Sequence, residues 1–306
     1  MKWVLAAIVM LWSGAALAAP IRVMILDGES AAAYHDWPVT TQVMKRELQD
    51  AGIFDVTVVS APRSDSADIA AFDPGFEKYQ VVVWNYDAPD WPAALKTKFE
   101  TYMRNGGGLV VVHAANNAFP DWPAWNEMTG LGGWRGRNKA AGPHWYFENS
   151  KLVSDDEPGP AGMHGKRLPF RMVTRAPDHP IMRGLPERWM HMGDELYAHL
   201  RGPGRNMTVL ATAWSDPANH GSGHDEPMAM ALRFGKGRIF HTTLGHDAWA
   251  LSGVGFMTLL QRGTEWAATG HVTQKVPKNF PTADIASYRA DLAAMDPAIA
   301  GNGKPK

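Results

Sequence analysis

Four histidines stand where the chain could carry an imidazole into a pocket. His113 ends the run Gly106-Gly107-Gly108-Leu109-Val110-Val111-Val112. His246 lies in Leu244-Gly245-His246-Asp247, His35 in Tyr34-His35-Asp36, and His144 in Gly142-Pro143-His144. Convergent imidazoles suit two tasks. Neutral imidazole is the commonest side-chain ligand of transition metals. With an ordinary pKa of about 6.5 it is also the natural general acid or base. Each histidine taken singly is equally a hydrogen-bonded loop residue. No pair has the spacing of a helical metal motif such as H-E-x-x-H. His220 and His224 flank Gly221-Ser222-Gly223, which reads as an exposed loop rather than a metal clip. The chain has no Cys, so thiol chemistry is excluded.

Other polar residues fall beside these. Asn85 and Asp87 end an apolar run and could hydrogen-bond hydroxyl groups of a ligand, or simply form a turn. Asn116 and Asn117 follow His113 and could cap the next helix. Asp194-Glu195 precede an apolar turn; one could hold the tautomer of a histidine, or cap an element. The chain has 13 Trp, many beside Pro, Gly or His. Such Trp either anchor loops in the core or offer a face on which a sugar ring stacks.

The elements that must position these residues follow from hydrophobic pattern. Ile21 to Gly28, Phe54 to Ser60 and Tyr79 to Asn85 read as strands. The Gly-rich run into Val112 reads as a fourth, buried strand ending at His113. Asp36 and Pro38 start a helix from Val39 to Ala51, stopped by Gly52. Asp90 is expected to cap a second helix carrying Leu95, Phe99, Tyr102 and Met103, closed by Asn105-Gly106. This alternation predicts an α/β fold with a parallel sheet and helices on both faces. In such sheets ligands bind at the carboxyl ends of the strands, where His35, His113 and His246 would meet. From Phe119 to Gly204 the periodicity degrades, as in a functional insertion. Met207 to Trp214, Met228 to Phe234 and Arg238 to Thr243 then read as hairpin-linked, antiparallel edge strands, and Val254 to Thr269 as a closing helix.

Bulk composition narrows the class. The chain has 306 residues, 45% hydrophobic and 20% charged, as an ordinary globular protein has. A net charge of −1 leaves no electrostatic footprint for nucleic acid or an anionic membrane. Residues 1–18 read as a secretory signal: Lys2, an apolar stretch from Trp3 to Trp12, and Ala16-Leu17-Ala18 as the cleavage site. Periplasmic or secreted location is therefore expected, with the mature chain starting near Ala19 and free of the membrane. Residues 19–272 form the expected domain, and 273–306 a tail that frays from ordered to loose.

The segment from Gly106 to Ala115, with Phe119 and Trp122-Pro123-Ala124-Trp125 through Thr129-Gly130-Leu131-Gly132-Gly133, resembles the ThuA-like (trehalose utilisation) family. Asp178-His179-Pro180-Ile181 with Gly184-Leu185-Pro186, Asp194-Glu195-Leu196-Tyr197, and Gly235-Lys236-Gly237-Arg238-Ile239-Phe240 running into Leu244-Gly245-His246-Asp247 are similar to further signatures of it. The resemblance spans about Ile21 to Gly270. It implies a flavodoxin-like three-layer α/β/α sandwich with a mostly parallel central sheet, related to class I glutamine amidotransferases. It also implies catabolism of trehalose and similar disaccharides. His113 takes the amidotransferase nucleophile position, so glutamine hydrolysis is excluded.

The resulting expectation is an exported enzyme, a lyase, isomerase or hydrolase, acting on a disaccharide, a glycoside or its 3-keto derivative. His113 and His246 would be its acid/base pair, or ligands to a divalent metal ion, with His35 and His144 as further ligands. Asp247 would orient His246. Asn85 and Asp87 would bind substrate, and Trp122, Trp125, Trp134 and Trp145 would stack on the sugar. The partner is a small-molecule sugar, and assembly into a homo-oligomer is left open. The competing expectation is a non-catalytic periplasmic protein that only holds a sugar.

Overall fold

The computed structural model describes residues 19–31 and 34–302; the segment read as a signal, 1–18, lies outside the described residues. Four parallel strands open the chain. They are β1 (Ile21–Asp27), β2 (Phe54–Ser60), β3 (Val81–Trp84) and β4 (Gly108–Val112). Helix α1 (Trp37–Asp50) joins β1 to β2, and α2 (Ala93–Arg104) joins β3 to β4. The Asp36 carboxylate accepts the Val39 N–H at the head of α1, and Pro38 occupies its first turn. Asp90 does not cap α2, contrary to expectation. The helix begins after Pro92, whose fixed φ starts it, and Asp90 pairs instead with Lys96.

After β4 comes a short helix, α3 (Pro123–Thr129). The poorly periodic stretch then resolves into short strands: β5 (His144–Glu148), β6 (Lys151–Asp155), β7 (Met163–His164), β8 (Arg171–Thr174), β9 (Arg188–Met190) and β10 (Tyr197–Ala198). Next come β11 (Thr208–Trp214), β12 (Asp225–Phe234) and β13 (Gly237–Thr242), then helices α4 (Ala248–Leu251) and α5 (Val254–Thr269). The sheet order is β2-β1-β3-β4-β13-β12-β11-β8-β9. β13, expected at an antiparallel edge, lies inside the sheet and pairs parallel with β4, so five neighbouring strands run one way. From β12 outward the sheet continues antiparallel, and β7 and β10 form a separate ribbon.

Alternating side chains feed two cores, one on each face. On β1, Val23 and Ile25 pack with Val43, Met44 and Leu48 of α1 and with Phe256 and Leu260 of α5. Met24 and Leu26 pack instead with Leu95 and Phe99 of α2 and Trp125 of α3. Both faces of the strand are covered, which is why it reads as a continuous apolar run. The result is a three-layer α/β/α sandwich.

The segment read as a tail packs onto the first of these cores as far as it is described. Thr282 and Ser287 accept backbone N–H groups from Met190 and Val254, each at 2.8 Å. Arg289 pairs with Asp50 of α1 at 2.9 Å. Helices α6 (Ala290–Ala293) and α7 (Pro297–Asn302) follow, and Leu292 and Ile299 are buried. No helix among the described residues is long and apolar enough to cross a membrane.

Candidate metal centre and the adjoining cavity

β4 ends at Val112, and His113 turns the chain with φ +49°, a left-handed conformation for a residue that carries a Cβ. This turn lifts the imidazole above the carboxyl end of the sheet. His113 is buried, and its Nδ1–H donates to the Thr243 carbonyl at 2.7 Å. Thr243 immediately follows β13, the neighbouring strand. The bond fixes the tautomer and leaves the His113 Nε2 lone pair free; that nitrogen is buried with no hydrogen-bond partner.

His246 arrives from the loop after β13. Gly245, at φ +116°, turns the backbone where an added Cβ would meet Leu251 at 2.9 Å. His246 Nδ1 is buried without a hydrogen-bond partner and lies 3.1 Å from Glu195 Oε2. The same carboxylate oxygen is 3.7 Å from His113 Nε2. His35 comes from the loop before α1. Its ring centre is 5.1 Å from that of His113 and 5.0 Å from that of His246, and neither of its nitrogens has a hydrogen-bond partner. One donor atom from each of His35, His113, His246 and Glu195 lies within 4.8 Å of the others.

The electrostatics suit a cation. Burial pushes the His35 pKa down to about 3, and the neighbouring His113 and His246 add to the effect, so its ring is neutral near pH 7. Burial works to raise the Glu195 pKa, but hydrogen bonding and positive charge from His113 and His246, when these rings carry a proton, hold its carboxyl well below the usual carboxylate range. Three imidazoles and one carboxylate, with bare buried nitrogens, are the donors that Zn, Mn, Fe, Co or Ni takes. An all-oxygen cage for Ca or Mg is not present in this cluster. These residues therefore fit a first-row divalent ion.

Asp194 organises the site from behind. It is fully buried; one oxygen accepts from His191 Nε2 and the Gly245 N–H, each at 2.8 Å. The other accepts the Glu195 N–H at 2.8 Å and the His246 N–H at 3.1 Å. Burial would raise its pKa, but the His191 partner and these N–H donors lower it on balance.

Beside the cluster opens a cavity of about 550 Å³, of which His35 and Glu195 form one wall. Tyr34, Trp134, Arg135, Asp87, Asn117, His164 and Tyr197 supply the rest of the polar and aromatic lining. Trp134 and Arg135 are consecutive left-handed residues, with φ +51° and +44°. Arg135 Nε donates to the buried Asp87 carboxylate at 2.8 Å. Tyr197 packs between His113 and Trp134 with its ring tilted to both, the ring centres at 4.2 and 4.5 Å. The volume is that of a small-molecule site.

Of the residues singled out from sequence, His35, His113, His246 and Glu195 come together, Asp194 stands behind them, and Asp87, Asn117 and Trp134 line the cavity. The others lie elsewhere. His144 is not in the cluster: it sits on β5, outside the parallel strands, bonded to Glu226 at 3.1 Å and stacked on His199 at 4.6 Å. Asp247 does not orient His246. It caps α4 through the Ala250 N–H and pairs with Arg167, and Asp194 holds the His246 backbone. Asn85 faces α1, donating to Thr40 and Thr41 hydroxyls at 3.0 and 2.9 Å. Trp122 and Trp125 are buried in the core among Trp84, Phe99 and Phe119 and offer no face to a sugar. Trp145 donates to the Gly202 carbonyl at 3.0 Å and lies outside the cavity lining. Asn116 and Asn117 enter a short 3-10 turn rather than cap a helix.

Sequence reasoning missed Glu195 as a direct member of the cluster, and missed Arg135, His164 and Tyr197. The Asp194-Glu195 pair carried a signal; His164, in Met163-His164-Gly165, carried none.

A family model described as "Trehalose utilisation" (ThuA) matches residues 22–267. A ThuA-like protein from Parabacteroides merdae, known from a crystal structure, is 44% identical, with 89% of this chain and 99% of that one covered and a TM-score of 0.85. A ThuA-like protein from Bacteroides uniformis shares the fold at 18% identity and a TM-score of 0.57, over 86% of this chain and 97% of that one. The comparison with curated proteins gave no match.

Proposed function

The chain belongs to the ThuA family, and from that premise we propose that it is a metal-assisted enzyme acting on a sugar. His35, His113, His246 and Glu195 hold a divalent first-row ion, and the substrate occupies the cavity beside them. The observation that carries this reading is the meeting of bare, buried imidazole nitrogens and one ionised carboxylate on the wall of a ligand-sized cavity. When bound, the ion would polarise a carbonyl or hydroxyl oxygen of the sugar.

This chain's residues do the rest. Trp134 offers an apolar face to a ring. Asp87 and Arg135 present an acceptor and donors to hydroxyl groups. Tyr197 fixes the His113 ring in place. A sugar ketone acidifies the neighbouring C–H, so elimination or isomerisation needs a base and an electrophile but no nucleophile. A 3-keto derivative of a disaccharide such as trehalose is the substrate class of this proposal. The signal-like residues 2–18 support a periplasmic or secreted location as part of the same proposal.

The test is elemental analysis of protein purified without added metal, with turnover measured on trehalose and on its 3-keto derivative before and after chelation. Stoichiometric metal and turnover lost on chelation are expected. Turnover by metal-free protein overturns the metal role. Sugar binding without turnover by the metal-loaded protein leaves a non-catalytic sugar-binding protein.

A further inference from the structure

His164 stands on the β7–β10 ribbon, directly opposite Tyr197. Its ring centre is 6.4 Å from that of Trp134 and 6.5 Å from that of Tyr197, so it extends the aromatic wall of the cavity. It lines the same cavity as His35 and Glu195. Its Nδ1 lies 2.9 Å from the Gly165 carbonyl oxygen. A carbonyl only accepts, so Nδ1 carries the hydrogen, and Nε2 of the neutral ring keeps its lone pair. That nitrogen is 3.6 Å from Glu195 Oε1.

Three features separate His164 from the other imidazoles. Its side chain is 39% exposed, against 3% for His113. It is not one of the four residues whose donor atoms cluster within 4.8 Å. The donor atoms of that cluster lie close to one another, as ligands of the one proposed ion would. His164 thus brings a basic nitrogen into the cavity from outside the ligand set.

We propose that His164 takes a proton from the substrate in this cavity and returns it. The inference rests on the proposed sugar chemistry. The His164 Nε2–H bond forms as a C–H bond beside the substrate carbonyl breaks, and the electron pair stays on the substrate as an enolate. The ring becomes an imidazolium whose new charge faces the Glu195 carboxylate. Return of the proton to the former carbonyl carbon, as the adjacent hydroxyl proton passes to the enolate oxygen, moves the ketone by one carbon and completes an isomerisation. If the enolate instead expels an alkoxide from the carbon beyond, the alkoxide takes the proton and an elimination is complete. No other reactant is consumed.

The test uses the full protein as purified and 3-keto-trehalose in deuterium oxide, with deuterium entering beside the ketone followed by NMR. His164→Asn and His164→Gln are compared with wild type, and thermal melting reports their fold. Metal content by elemental analysis and ketone affinity by calorimetry should match wild type, while exchange falls by about 100-fold or more. Loss of metal in both variants overturns the inference by making His164 a ligand. Exchange undiminished in either folded variant, with an active wild type, overturns this inference alone. A wild-type protein that exchanges no deuterium overturns the sugar reading and this inference with it.

Discussion

One Asp194 oxygen accepts the backbone N–H of His246 at 3.1 Å, and the other accepts that of Gly245 at 2.8 Å. Asp194 also accepts the N–H of Glu195, its own neighbour. A single buried carboxylate thereby ties the loop carrying Glu195 to the loop carrying His246. Two of the four candidate ligands are set in place by a residue that need not touch the ion. Such outer contacts orient ligands and govern how tightly an ion is held.

Asp194→Asn keeps the shape but puts an amide where two acceptor oxygens stood. Zinc or manganese affinity, measured by calorimetry, is expected to weaken by about 10–100-fold, with far-UV circular dichroism unchanged. Unaltered affinity would show that the two loops are held by other contacts.

Metal should stabilise the fold through the cluster. With free zinc at about 100 times its dissociation constant, the gain is about 2.7 kcal/mol, visible as a raised melting temperature. His113→Ala should abolish most of this gain. An equal gain in the variant would place the ion elsewhere.

Two tryptophans expected to share one role should separate. Trp134→Ala should weaken sugar binding with little loss of stability, because Trp134 lines the cavity. Trp125 is fully buried, and Trp125→Ala should cost about 3–5 kcal/mol in chemical denaturation. Comparable stability losses in both variants would contradict the assignment of Trp134.

Glu47 of α1 is fully buried and neither carboxylate oxygen has a hydrogen-bond partner. Burial pushes its pKa well above the ordinary value of 4.5. The folded state therefore keeps a proton that the unfolded chain loses as pH rises past about 4.5. Stability from this group falls with rising pH until the folded carboxyl ionises, and no difference remains below the unfolded pKa. Glu47→Gln should be more stable than wild type at pH 8, by about 1.4 kcal/mol for each tenfold difference in proton affinity. Denaturation curves should show the advantage shrinking toward pH 4; a constant difference would mean that packing, not ionisation, sets it.

The strand-end histidines were legible because their chemistry follows from local pattern. An apolar run covered on both faces must be a central strand, and parallel strands bring their carboxyl ends to one rim. That places His113 at the rim after β4; His246 stands beside it because β13 pairs parallel with β4, which the pattern read as an antiparallel edge did not give. The sandwich itself follows from the same alternation of strand and helix.

The sequence by itself determined the layered α/β architecture and the place of His113 at a strand end, because both depend on short-range hydrophobic periodicity; that β13 lies parallel beside β4 and brings His246 to it is a long-range pairing. Only the tertiary structure decided which further residues join them. His144 and His164 look alike along the chain, yet one is sealed against Glu226 and the other opens on the cavity. Their positions, like that of Glu195, depend on the path of an irregular segment whose backbone is held by long-range hydrogen bonds. No local pattern encodes that path.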